Sequence, residues 1–525
     1  MRKLIAAAVL GAVVMTAMGQ TWISRYNGPA NDEDQAYGLG RDNSGRVFVT
    51  GTSWATGAGN DVLTIAYGQS GESLWAQRYD GSAHSDDLSR AIAVAGGRVA
   101  VAGGTTGASA LTDFLTIVYD ATGTQQWSAA YDAPAGGNDH GLAVAIDSSG
   151  NTYTAGYATG DTTGWDFAVV KYNASGTRQW VGRYATMDED YVAAVAVDAS
   201  GNVYAAGSSG SPYTLTWDYV TARYNPSSGD TLWVRRLNGT ANEDDEVRAM
   251  AIDNAGNVIV TGGSTNSGTG VDYTTIKYSS AGDTAWVRRY NGTASGTDWA
   301  YALAVDASNN VYVTGSSQDT VTDMDYVTIK YDASGNRQWI ARYDGPAHSF
   351  DEGRAIAVDG SGNVFVTGGS TGSTTRTDYV TVRYDAATGT EAGVRRYDGT
   401  ANRIDEAVAM VLDGSGGVVV TGGSVGSGTG TDYATIHYGE VGIEEMTKSE
   451  GRRTNAGRTV VRGTLNLQPA ACDLQSEIVL LDAAGRVVSR LHQGANDVSR
   501  LAPGVYFVHQ LSGARMVTHR VVVVE

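Results

Sequence analysis

Between Trp22 and Tyr438 the apolar and polar positions follow no helical period; they fall in short alternating runs that return about every fifty residues. Around residues 339 to 384 the runs are W-I-A-R-Y (339–343), A-I-A-V (355–358), N-V-F-V-T-G (363–368) and D-Y-V-T-V-R-Y (378–384). Runs of this length, bounded by Gly, Asp and Asn, read as strands. Each copy therefore supplies four, named a (A-I-A-V), b (N-V-F-V-T-G), c (D-Y-V-T-V-R-Y) and d (W-I-A-R-Y). Strand a alternates a small with a branched side chain, and does so again at Ala302 to Val305 and Ala194 to Val197, so both of its faces are apolar. A strand dry on both sides lies between neighbouring sheets, as the innermost strand of a propeller blade does.

The W-x-x-R-Y phrase, with some drift, begins at Trp22, Trp75, Trp127, Trp180, Trp233, Trp286 and Trp339, at spacings of 52 or 53 residues, and an eighth copy at Gly393 to Tyr397 has lost its Trp. The phrase D-[YF]-x-T-x-x-Y, again with drift, starts at Asp61, Asp113, Asp166, Asp218, Asp272, Asp325, Asp378 and Asp432. A fixed period of this size signals repeating supersecondary units, none of which buries its own faces alone. The a-to-b links (D-A-S-G-N at 198–202) and c-to-d links (D-A-S-G-N at 332–336) are short turns, so the strands they join are adjacent and antiparallel. Trp22 to Tyr26 is then a d strand without its c strand, and Ala434 to Tyr438 a c strand without its d strand. Each end completes the other. The pattern predicts an all-β fold: an eight-bladed β-propeller with four-stranded blades over residues 20–439, closed by the N-terminal strand so that no ring edge is left open. Seven blades plus a spare unit is the alternative.

Composition agrees with many short strands and tight turns: 69 Gly against 7 Pro and 6 Phe in 525 residues. The formal charge of −19 argues against nucleic acid and anionic membrane surfaces as partners, because affinity for phosphate comes from Lys and Arg. The chain starts M-R-K, continues with an apolar run from Leu4 to Val14 and reaches Ala17-Met18-Gly19, which reads as a signal peptide over residues 1–19 cleaved before Gln20. A buried N-terminal helix of a cytosolic protein is the other reading. No further stretch is long and apolar enough to span a bilayer, so no transmembrane segment is expected in the mature chain. The single cysteine, Cys472, has no partner for an internal disulfide and reads as a structural thiol.

Residues 440–458 form a charged linker, and 459–525 a small C-terminal β domain with strands at Ile478 to Leu481, Val487 to Val488 and Val505 to Val508, and a closing basic strand from Arg515 to Val524. Its D-A-A-G-R-V-V (482–488) and L-A-P-G-V-Y-F-V (501–508) resemble the C-terminal sorting domain, type A, of the type IX secretion system. That resemblance implies export to the medium or outer surface of a Gram-negative-type bacterium, with the secretion machinery as a partner and the domain folded as a small β-sandwich. An ordinary Ig-like accessory domain is the alternative. In the repeats, Ala304 to Gly315 (A-V-D-A-S-N-N-V-Y-V-T-G) and Asp325 to Asp332 (D-Y-V-T-I-K-Y-D) resemble the SBBP β-propeller repeat family, which implies a scaffold rather than a particular reaction.

The uniform a–b and c–d turns share one face of the ring, so the variable b–c and d–a loops share the other, and variable loops on a fixed frame are where binding is expected. Trp54, Trp165 and Trp217 stand among Gly, Ser and Thr in the b–c loops, aromatic residues suited to the apolar faces of sugars. One aspartate recurs in all eight d–a loops: Asp34, Asp87, Asp139, Asp190, Asp245, Asp298, Asp351 and Asp405. These carboxylates either form an acidic ring that takes Ca²⁺, the one cofactor suggested, or each accept backbone N–H groups and hold their own loops. The residue after each differs from blade to blade, which is where a ligand imposes asymmetry; His140, Tyr191 and Trp299 are the contact candidates. There is no H-E-x-x-H, G-x-S-x-G or phosphate-binding Gly-rich loop, and no catalytic residue is assigned. D-A-T-G-T-Q-Q-W (120–127) and N-P-S-S-G-D-T-L-W (225–233) resemble the tryptophan-docking turn of eight-bladed quinoprotein dehydrogenases, which packs blades together. The expected function is a secreted or surface scaffold binding a glycan or protein through the variable face. A glycan-processing enzyme using carboxylates of that face and a structural surface-layer component are the alternatives.

Overall fold

A computed structural model describes residues 18–440 except 58, 108 and 211–215, and beyond them 459–461, 464–467, 478–481, 487–491, 494–497, 504–512 and 515–523. The signal-peptide reading at 1–17, most of the linker, Cys472, and the turn segments 482–486 and 501–503 lie outside the described residues. Among the described residues no helix is long and apolar enough to cross a membrane.

Eight four-stranded antiparallel sheets follow one another along the chain. Blade 1 runs Asp34–Arg41 (a), Val47–Ala55 (b), Gly59–Tyr67 (c) and Ser73–Tyr79 (d), and the next six repeat this order. Blade 8 takes Asp405–Leu412, Val418–Val425 and Thr431–Glu440 as a, b and c, and its d strand is Met18–Tyr26 from the other end of the chain. Ile23 faces Ile436 and Tyr26 faces Tyr433 in that closing pair, so the ring has eight blades and no open edge. Strands b and c carry the core: Val258 to Asn266 is buried throughout, as is Val203 to Gly210.

Two repeated contacts weld blade to blade. The hydroxyl of the strand-c tyrosine, fully buried, donates to a strand-c carbonyl of the following blade: Tyr273 to Val327 at 3.1 Å, Tyr379 to Ala434 at 3.1 Å, and across the closure Tyr433 to Leu63 at 3.4 Å. The strand-d tryptophan docks on the c–d turn of the following blade, as the resemblance to the docking turn implied. Trp22 donates Nε1 to Gln69 O at 3.0 Å, Trp180 to Pro226 O at 3.1 Å, and Trp339 to Ala386 O at 3.0 Å. Blade 7 would dock on a c–d turn of blade 8, but the c and d strands of that blade come from opposite parts of the chain and are not joined by such a turn. Its d strand carries Gly393 in place of Trp, and no atom lies within 4 Å of where a Cβ would sit.

Strand a has one further regularity. Its register against strand b slips at the same step in every blade, between Ala36 and Gly38 in the first and between Gly353 and Ala355 in the seventh. The residue skipped is a β-bulge: Tyr37, Arg90, Leu142, Ala193, Arg248, Tyr301, Arg354 and Val408. The slip brings the carbonyl just before it onto strand b so closely that a Cβ at Gly315 would lie 1.8 Å from Trp299 O, and one at Gly156 1.8 Å from His140 O. Only glycine fits there, which is why every strand b reads through a glycine at this point.

The second unit, from Glu445 onward, holds a five-stranded sheet in the order 459–461, 515–523, 504–512, 478–481, 487–491, and a two-stranded pairing of Thr464–Leu467 with Gly494–Asp497. Its first and last strands run parallel and the rest antiparallel.

Candidate functional site

The eight recurring aspartates were expected in the d–a loops. The structure places each at the first residues of strand a or immediately before it, buried, with its carboxylate turned back onto the loop that precedes it. Asp351 accepts from Gly345 N at 2.6 Å, Asp298 from Gly292 N at 2.6 Å, Asp190 from Thr186 N at 2.7 Å, and Asp139 from both Ala133 N and Thr159 N at 2.6 and 2.7 Å. These are loop clamps of the kind expected of a carboxylate beside a turn. Burial raises their pKa values against these hydrogen bonds, in Asp245 and Asp351 to about 6.

In four places among the described residues three carboxylates meet within 4.8 Å: Asp61 with Asp80 and Asp87, Asp113 with Asp132 and Asp139, Asp325 with Asp344 and Asp351, and Asp378 with Asp398 and Asp405. Oxygen donors in such numbers suit Ca²⁺. In three of the four, however, a strand-d arginine already supplies positive charge: Arg78 to Asp61 at 2.9 Å, Arg342 to Asp325 at 2.8 Å and Arg396 to Asp378 at 2.9 Å. Arg25, Arg183 and Arg236 make the same ion pair in other blades. Blade 2 departs from this, because Ala130 stands where the arginine would be. Asp113 there has its pKa raised by burial and by the charges of Asp132 and Asp139.

The bulges create a different kind of position. Side chains at the bulge of five successive blades, with their neighbours, line one cavity of about 570 Å³ at the variable-face end of the ring axis: Gln35, Tyr37, Arg248, Tyr301, Arg354, Glu406 and Val408. Its polar groups are held in pairs. Arg248 bonds Glu246 at 2.8 Å and lies 4.9 Å over the Trp299 ring. Arg354 bridges Glu352 at 3.1 Å and Glu406 at 3.2 Å and lies 4.8 Å over Tyr301. Trp299 and Tyr301 stack at 6.5 Å. Burial, with the charge of Glu352, pushes the Tyr301 hydroxyl up to about 12, and burial also raises Glu352. The wall is a fixed set of donors, acceptors and ring faces, arranged for a polar ligand with flat apolar surfaces.

Of the residues singled out from sequence, Trp299 does not line the cavity itself but lies beneath Arg248, which does. Tyr191 donates to Glu246 at 3.1 Å and meets Trp217 edge-on at 5.2 Å, so those two join the same network one blade along. His140 packs 5.2 Å from Tyr157, which stacks at 4.5 Å on Trp165. Trp54 and Trp165 lie in the ends of strands b and c rather than in loops, with 38% and 37% of their surface exposed. Trp54 stands apart from the cavity network. Sequence reasoning missed the bulge residues Tyr37, Arg90, Arg248, Tyr301 and Arg354, which lie three positions beyond the recurring aspartates. The glycine in every strand b was the available signal, since a lone glycine inside a strand marks a bulge.

Fold and site together define an eight-bladed β-propeller with a chemically irregular axial mouth on a regular frame. Residues 285–320 match the family model SBBP, a β-propeller repeat. No curated protein matches the chain. Among solved structures, the chain is similar to the quinohemoprotein alcohol dehydrogenase from Comamonas testosteroni, at 11% identity and a TM-score of 0.53 over 86% of this chain and 80% of that one. At this identity the likeness is one of fold. PorZ, a surface component of the type-IX secretion system of Porphyromonas gingivalis, aligns at 14% identity and a TM-score of 0.41, over 93% of this chain and 66% of that one. The polysaccharide lyase Uly1 aligns at 12% identity and a TM-score of 0.42, over 66% and 89%.

Proposed function

We propose that the chain is an exported or surface-held binding scaffold that takes a glycan at the axial mouth of its variable face. The observation that carries this is the bulge ring: one geometric position, repeated eight times by the backbone, holds Tyr, Arg, Leu, Ala, Arg, Tyr, Arg and Val in turn. Blade packing requires glycine beneath the bulge, not any particular side chain on it, so chemistry is free to vary where a ligand would meet it. Tyr37 and Tyr301, each with a guanidinium over its ring, bring aromatic surface to the mouth, and the Arg–Glu pairs offer hydroxyls both donors and acceptors. Export rests on the apolar N-terminal run and on the sorting-domain resemblance, with the type IX machinery as the partner of the C-terminal unit. Screening the full-length protein on a glycan array, beside Tyr301→Ala, tests the reading. Binding of a defined saccharide class, lost in the variant, supports it; no saccharide bound contradicts it.

A further inference from the structure

Three arginines occupy bulge positions, and their surroundings differ. Arg248 and Arg354 are each held by glutamates within 3.2 Å. Arg90, exposed, makes no ion pair with a carboxylate among the described residues; its guanidinium lies 5.2 Å over the ring of Tyr37. Of the three bulge arginines it is the one without a carboxylate partner among the described residues. The neighbouring blade presents His140, half-buried, whose pKa is lowered by burial and by the charge of Arg90, so that its imidazole is uncharged at neutral pH. From His140 the rings run outward along blade 3: Tyr157 on strand b at 5.2 Å, then Trp165 on strand c, stacked on Tyr157 at 4.5 Å and open to solvent. Gly104 of blade 2 leaves the room that His140 fills, since a Cβ there would lie 2.8 Å from its Nδ1.

A ligand lying along this line meets an exposed indole face at its outer end, a neutral imidazole in the middle and an unpaired guanidinium at the axis. An indole face takes the C–H side of a pyranose ring, and a planar guanidinium takes the two oxygens of an anionic substituent. We infer that blades 2 and 3 form a subsite for an acidic saccharide, with Trp165 carrying a sugar ring and Arg90 receiving a carboxylate or sulfate borne by the next. This rests on the reading of the axial mouth as a glycan site and names the substrate class for it. Leu88 and Leu142, the other axial residues of these blades, bring no charge, while the carboxylates of Asp139 and Glu189 act on Tyr157 from the side.

The test is titration calorimetry of the full-length protein and of R90Q, R90K, W165A and Y301A with three probes: a tetramer of galacturonic acid, its methyl ester, and a sulfated galactan tetramer. The subsite predicts that at least one anionic probe binds wild type more tightly than the ester by about tenfold or more, as expected for a charge-assisted hydrogen bond. R90Q loses that advantage, R90K keeps part of it, and W165A weakens acid and ester alike. Which anionic probe responds decides between carboxylate and sulfate. Equal binding of acid and ester, or unchanged binding in R90Q, overturns the subsite. If array saccharides still bind and Y301A abolishes that, only the subsite has failed; if no saccharide binds at all, the glycan reading has failed with it.

Discussion

The indole of Trp339 lies against Gly389 of the following blade so closely that a Cβ there would sit 2.7 Å from the ring, while φ at Gly389 is +72°. Space and backbone both demand glycine, and the indole is only 8% exposed. Gly389→Ala is therefore expected to cost about 2 kcal/mol, and Trp339→Ala about 3 kcal/mol, in chemical denaturation. Gly393→Trp, at the one strand-d position facing no c–d turn, is expected to bring no gain. A stabilisation by that variant would show that the missing tryptophan is not explained by the missing c–d turn of blade 8.

The bulge gives a second prediction. Gly315→Ala drives a Cβ to 1.8 Å from the Trp299 carbonyl, so the bulge cannot survive as it is. Loss of about 3 kcal/mol or failure to fold is expected, whereas Gly360→Ala, with open space around it, leaves the melting midpoint in place. Equal midpoints for the two variants would contradict the bulge account.

Ala130 marks the blade whose aspartate lacks its arginine. Ala130→Arg places a guanidinium where six other blades hold one against the strand-c aspartate. A rise in stability of about 1 kcal/mol is expected, a modest figure because the partner Asp113 is only partly buried. The converse change, Arg78→Ala, strips the charge partner from the buried Asp61 and is expected to cost about 2 kcal/mol. Thermal midpoints of the two variants, moving in opposite directions, are the check.

Stability against pH follows from two groups of aspartates with opposite signs. In the strand-a set burial raises the folded pKa, in Asp245 and Asp351 to about 6, above the ordinary 3.8. Between these values the folded state holds protons the unfolded chain has released, so stability rises as pH falls through that window and is lost as pH climbs past 6. In the turn aspartates Asp147, Asp253 and Asp306, burial pushes upward but hydrogen bonds from Asn151, Asn257 and Asn310 outweigh it and the pKa is lowered. Their contribution is present above 3.8 and lost below it. Melting midpoints should therefore climb as pH falls from about 6 toward 4 and drop below that; a steady decline from pH 6 to pH 4 would contradict the burial argument.

The ring was legible in the sequence because each blade repeats the same physical problem. Trp22 to Tyr26 lacked a partner strand, Ala434 to Tyr438 lacked another, and Gly393 broke the tryptophan series at the blade facing the join. The mouth was legible only in part. A plain alternation from Asp298 points to Trp299, and Trp299 does lie under Arg248. Alternation cannot reveal that Tyr301 is skipped by the ladder, because a bulge changes register without changing composition. The clamp role of the aspartates could be read as a uniform need of every blade, whereas the ion pairs of Arg248 and Arg354 depend on which blades stand next to each other around the ring.

The most direct test of the glycan reading is a crystal structure of the full-length protein with a saccharide selected on the array. The account predicts that sugar rings lie in the axial mouth against Tyr301 and Arg354. A saccharide bound on the outer wall or the tight-turn face, with the mouth holding only solvent, would contradict it.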